Sequence, residues 1–192
     1  MIRLSRMAAL ALAAGTAGLA LGAPAHAAPS GHATAAHHAT HALTASYGVA
    51  ASSDAGTRLR DDPPIYECSV EGSWSWPAGN PVPVTYTSGW TCADPLTIGQ
   101  GLVTTSLRSA ADNSTVSTAP TASEVLVTEI NSGTDSGPIN RPTSLYLHQE
   151  ATIQLAPESD GTPDIWYTLP DECTGVGTPT AFCSFDWTPF TM

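Results

Sequence analysis

His148 is the only histidine after residue 41, so a general base built on imidazole in the folded part of this chain must use it. It lies in Leu147-His148-Gln149-Glu150, a setting that suits a solvent-facing or pairing role as well as a catalytic one. Acyl transfer would also require a hydroxyl nucleophile beside it and a carboxylate to orient it. Hydroxyls are plentiful here, but no spacing gathers the three groups. A pair of carboxylates is the other route to hydrolysis, one acting as acid and the other as base or nucleophile across a glycosidic bond. Asp171-Glu172, and Glu124 with Glu129, are the available pairs. In a chain with 17 acidic residues such pairs arise without function. A small extracellular hydrolase using His148 or a carboxylate pair is therefore the alternative reading.

Aromatic residues give the leading one. Ser73-Trp74-Ser75-Trp76-Pro77 places two tryptophans two apart, so in extended backbone both indoles point to one face. Exposed, such a pair would stack on a sugar or anchor a protein interface, and Trp74 and Trp76 are the expected binding residues. The competing reading puts both rings in the core, where Trp90, Trp166 and Trp187 are also expected because they sit within strand-like runs.

Other motifs are weaker. Thr134-Asp135-Ser136-Gly137-Pro138 resembles the segment around the nucleophile of trypsin-like serine proteases, but Thr134 stands where that motif has glycine and one of its paired glycines is missing. It reads as an Asx/Gly turn. His32, His37, His38 and His41 form an N-terminal tract of the kind that binds Zn²⁺, Cu²⁺ or Ni²⁺ loosely, and equally a polar spacer. Glu158, Asp160 and Asp164, or Asn131 and Asp135, offer oxygen ligands for calcium without the D-x-[DN]-x-[DN]-G register. No metal site and no cofactor are expected. Lysine is absent, which removes Schiff-base chemistry and the P-loop lysine together.

The elements that would position these residues follow from compartment and pattern. Arg3 and Arg6, the Ala/Leu-rich run Met7 to Leu21, and Ala25-His26-Ala27 read as an export signal over residues 1–27. The protein is expected to be secreted, with no membrane association once the signal is cleaved. Its removal leaves four arginines against all 17 acidic residues, a formal charge of −13. Nucleic acid is an unfavourable partner for that charge, since binding rests on Lys and Arg neutralising phosphates. An extracellular protein or glycan is the expected partner.

Cys68, Cys92, Cys173 and Cys183 are an even set in an exported chain, and two disulfides are the default. Pairing Cys68 with Cys92 and Cys173 with Cys183 closes two short loops, each worth about 3 kcal/mol in the chain-entropy model. A crossed pattern is also open from sequence. The Cys173–Cys183 loop additionally suggests a secreted protein inhibitor, presenting a braced segment to its target.

Residues 28–61, rich in Ala, His, Thr, Ser and Gly, have apolar residues too sparse to offset ordering entropy, so a flexible tail is expected there. From residue 62 the chain reads as one domain of about eight short strands: 65–70, 82–90, 102–107, 125–130, 144–148, 152–155, 165–169 and 182–187. The run from Val125 to Ile130 has two partly apolar faces and reads as a central strand. Pro81 and Pro83 beside Val82 suit an edge. Leu145, Leu147, Ile153, Leu155, Ile165, Tyr167 and Leu169 are expected in the core. The fold class is all-β, an antiparallel β-sandwich or barrel that resembles immunoglobulin-like domains in strand count alone. The function expected is that of a secreted, non-catalytic binding or interaction module.

Overall fold

The computed structural model describes residues 37–49, 65–94 and 97–192. They form twelve strands: β1 (His37–Val49), β2 (Tyr66–Trp76), β3 (Thr85–Cys92), β4 (Ile98–Ser109), β5 (Thr115–Thr118), β6 (Ala122–Val127), β7 (Glu129–Asp135), β8 (Ser144–Leu155), β9 (Asp164–Thr168), β10 (Cys173–Thr174), β11 (Thr180–Asp186) and β12 (Phe190–Thr191). One sheet runs β7-β3-β2-β1-β9; the other runs β10-β11-β8-β4-β5, with β12 added to β8 and β6 to β4. All pairings are antiparallel. The two sheets pack together as a β-sandwich, as the strand pattern and turn spacing indicate.

Aromatic rings fill the space between the sheets. Trp90 on β3 meets Trp166 on β9 edge-on at 5.6 Å and Phe185 on β11 at 6.5 Å, and Phe185 stacks on Trp187 at 5.7 Å. Trp187 lies directly against Gly72 of β2, where an added Cβ would stand 2.7 Å from the indole. Leu145, Leu147, Ile153 and Leu155 are buried beneath this layer. A polar clasp closes the β4/β7 side: Ser88 Oγ and Thr105 Oγ1 are 2.6 Å apart, and Thr105 Oγ1 donates to the Ser132 carbonyl at 2.9 Å.

Both disulfides join residues that are direct cross-strand partners. Cys68 pairs with Cys92 between β2 and β3, and Cys173 with Cys183 between β10 and β11, with Cα separations of 3.9 and 4.1 Å. The Ala93 N–H donates to the Glu67 carbonyl, and the Ser184 N–H to the Glu172 carbonyl, so each bridge sits beside a hydrogen-bonded pair at the narrow spacing of an antiparallel ladder.

Four expectations change. Residues 37–49 are not tail but β1, an interior strand that pairs with β2 at eleven consecutive positions and then with β9. Its small residues pack under bulk supplied by neighbours, with Ala45 and Tyr47 fully buried and His41 stacked on Trp74 at 5.1 Å. The domain therefore begins upstream of residue 62, while residues 28–36 and 50–61 lie outside the described residues, as do residues 1–27, read from sequence as an export signal. Second, the run 125–130 is two strands. It breaks at Thr128, where β6 on the seven-stranded sheet hands over to β7 on the other, and Leu126 takes φ +52° just before the break. Its two apolar faces reflect Val127 and Ile130 turning to the core from different sheets, which leaves Val125 and Leu126 exposed.

Third, β3 is interior. Pro81 and Pro83 precede it, and Val82 makes only an isolated bridge to Ile139. Fourth, Trp166 faces the core from β9, so Ile165 and Tyr167 fall on the opposite face and are only half-buried.

An interior β1 makes Tyr47 a core residue. Tyr47→Ala is expected to lower the stability of the protein by about 3 kcal/mol, measured by chemical denaturation. A loss within about 0.5 kcal/mol, the scale of surface substitutions, would return the segment to a tail.

Candidate functional site: the outer face of the seven-stranded sheet

Strand alternation decides which side chains leave the core. On β11, Ala181, Cys183 and Phe185 are buried, so Phe182 is an aromatic residue out of phase and stands 56% exposed. The register places Phe182 beside Thr152 of β8, and Thr152 beside Leu102 of β4, which is 40% exposed. One row therefore reads Leu102, Thr152, Phe182 across three adjacent strands. The next row is Thr104, Glu150 and Ser184, and the row on the other side is Gln100, Gln154 and Thr180. Between the first two rows lies a shallow depression of about 360 Å³, into which Thr121 also projects. Thr104 Oγ1 and Thr121 Oγ1 are 2.8 Å apart, which fixes that wall.

His148 belongs to the following row, flanked by Ser106 on β4 and Asp186 on β11. Its Nδ1 is 2.6 Å from Asp186 Oδ1 and its Nε2 is 3.4 Å from Glu150 Oε1. Both ring nitrogens thus face carboxylates. Ser106 is buried, and its Oγ accepts a hydrogen bond from Arg108 Nε at 3.3 Å. A base, an orienting acid and a hydroxyl share one row, yet the imidazole is turned along its own strand toward Glu150 rather than across to Ser106. The arrangement ties Glu150, which lines the depression, through His148 of its own strand to Asp186 of β11.

The remaining sequence candidates are placed as follows. Trp74 and Trp76 are 3% and 6% exposed, so they offer no stacking surface. Phe190 of β12 reaches across from the other sheet and stacks on them at 4.7 and 5.4 Å. Pro77 ends the strand after both residues have turned inward, and alternation with Ser73 and Ser75 reads the same whichever face is buried. Ser136 is buried at the end of β7, where its Oγ accepts from the Val84 N–H and donates to the Gly137 carbonyl. Glu124 and Glu129 lie on separate strands in separate sheets, and Asp171 and Glu172 sit in the turn before β10.

The turn at 175–178 within the Cys173–Cys183 loop bonds back to β9, through Gly177 N–H to the Trp166 carbonyl and Trp166 N–H to the Thr178 carbonyl. Among the described residues no group of three His, Cys, Asp or Glu side chains is placed to hold a metal ion, and His41 of the histidine tract is engaged with Trp74.

A second, wholly polar recess of about 230 Å³ lies on the outer face of the five-stranded sheet, between Glu71 and Glu129 over Gly89. Asn131 donates from Nδ2 to Glu129 Oε1, and Ser69 Oγ donates to Glu71 Oε1 at 3.2 Å. At one end of the sandwich, Asp164 is 8% exposed, with Oδ1 buried and unpaired. Burial above all raises its pKa, and the charges of Glu158 and Asp94 push it further up. Burial likewise raises the Tyr47 phenol, against the hydrogen bond shared with Thr97 at 3.0 Å, which lowers it.

No protein-family model, curated protein or solved structure matches this chain. Function must therefore be argued from the site.

Two outcomes follow from this placement. Replacing Trp74 or Trp76 with alanine is expected to destabilise the fold by about 3 to 5 kcal/mol, read from urea melts; wild-type stability in both variants would mean that the rings are not packed. An acid whose folded pKa is raised contributes stability below its unfolded pKa that is lost as pH rises through the folded one. Asp164→Asn should therefore melt higher than wild type at pH 7, with the gap narrowing as pH falls toward 4. An unchanged gap across that range would contradict a desolvated Asp164 carboxylate.

Proposed function

We propose that the protein is a secreted, non-catalytic binding module that holds its ligand on the outer face of the seven-stranded sheet, between Leu102 and Phe182. The observation that carries this is Phe182, a large ring directed away from the core on a strand whose other ring, Phe185, points inward. Exposed apolar groups rimmed by polar ones are the usual mark of a recognition surface. The surrounding backbone is stiff: β4, β8 and β11 are interior to their sheet, and the Cys173–Cys183 bridge braces β11 next to Phe182. A preformed surface loses little entropy on binding.

Binding is favoured over hydrolysis by the neighbourhood of His148, whose two nitrogens are occupied by carboxylates while Ser106 is bonded to Arg108. The shallow face also encloses little of a reacting bond. Secretion is supported by the export-type N-terminus together with two disulfides, which persist in oxidising compartments.

The test is retention. The mature protein, immobilised on an optical biosensor, is exposed to fractionated culture medium and solubilised cell-envelope material. Wild type is expected to retain at least one fraction saturably, and Leu102→Glu to lose that retention by tenfold or more while melting like wild type. Equal retention by the two proteins would remove this face as the binding surface.

A further inference from the structure

We infer that the ligand is a neutral polysaccharide, bound with one pyranose ring lying over Thr152 against the face of Phe182; this rests on the binding-module reading above. The first support is the row geometry. Strands in a sheet are about 4.8 Å apart, so Leu102 and Phe182, two strands apart, stand about 10 Å from each other with the short Thr152 between them. That makes a trough wide enough for one six-membered ring and open to solvent above, so a longer chain can pass across the strands.

The second support is the pattern of polarity. The apolar row is bordered on one side by Thr104, Glu150 and Ser184, and on the other by Gln100, Gln154 and Thr180, a row that ends on β6 at the exposed Val125. A pyranose has the complementary layout: a face of C–H groups suited to the electron-rich face of a phenyl ring, and hydroxyls around its edge that need both donors and acceptors. Thr and Ser hydroxyls supply either role, Gln amides supply both, and Glu150, held from behind by His148, supplies an acceptor. A peptide adding itself as a strand would instead need a free sheet edge, and this row crosses interior strands.

Charge selects among glycans. The bordering rows carry one charged residue, Glu150, with Asp186 one row further on. The chain has no lysine, and Arg108, two rows from Glu150, is engaged with Ser106. Among the described residues the bordering rows hold a carboxylate and no lysine or arginine, so uronate or sulfate groups would be repelled there and the face fits an uncharged polymer.

The experiment is native affinity electrophoresis of the mature protein in gels containing xyloglucan, galactomannan, mixed-linkage β-glucan or soluble xylan, with alginate as the anionic probe. At least one neutral polymer should retard wild type, and alginate should not. Phe182→Ala should weaken the retardation about tenfold, and Phe182→Trp should preserve it. Glu71→Gln, on the opposite sheet, should bind as wild type does. Phe182 is mostly exposed, so thermal melts should show the alanine variant folded.

Retardation equal in wild type and Phe182→Ala would overturn the assignment of the ring. Absence of retardation by every neutral polymer would overturn the glycan. If Leu102-dependent retention of a protein fraction persisted alongside that absence, the binding face would stand with a protein as its partner. If the Leu102-dependent retention also failed, both readings would fall together.

Discussion

The fold depends on the packing of aromatic rings between two sheets, one of which includes an interior strand built mostly from small residues. β1 is mostly Ala, Thr, Ser, Gly and His, and could not fill a sandwich by itself. Volume comes instead from Trp90, Trp166, Phe185 and Trp187, joined ring to ring, and from Phe190 closing over Trp74 and Trp76. Gly72 is part of the same arrangement, since Trp187 occupies the space that a side chain on β2 would need. An interior at crystalline packing density tolerates little change in such contacts. The small side chains of β1 and the size of the rings are therefore one constraint.

That constraint explains which features were legible from sequence. Cysteine count and loop length indicated the two bridges, and strand-like runs ending in Gly, Pro and Asn indicated an all-β sandwich. β1 is hidden in the sequence because the segment's own apolar content is low, whereas Ala45 and Tyr47 are buried by partners on β2 and β9. Trp74 and Trp76 were misleading because a period of two gives their common face but not which side that face takes. Phe182 carried a signal that went unread: within 181–187 it is the one aromatic residue out of step with Ala181, Cys183 and Phe185. The division at Thr128 had no such mark, since Leu126 is an ordinary residue in a left-handed conformation.

With the rings committed inward, chemistry is left to the outer faces. One face carries a recess lined by polar residues, with carboxylates steadied by Ser69 and Asn131 around Gly89; the other sets the exposed Phe182, Leu102 and Val125 among a ladder of hydroxyls and amides. One sheet margin is covered as well: β9 is bonded to the 175–178 turn. Covered margins discourage association through unpaired strands.

The most direct measurement of this inward commitment is tryptophan fluorescence of the mature protein with acrylamide as quencher. All five indoles are buried, at Trp74, Trp76, Trp90, Trp166 and Trp187. Emission should therefore be strongly blue-shifted from that of the unfolded chain, with a single, weakly quenched population that becomes accessible only on denaturation. A readily quenched fraction in the native protein, removed by substituting Trp74 and Trp76, would place those two rings in solvent and contradict the aromatic core on which both the fold and the binding face rest.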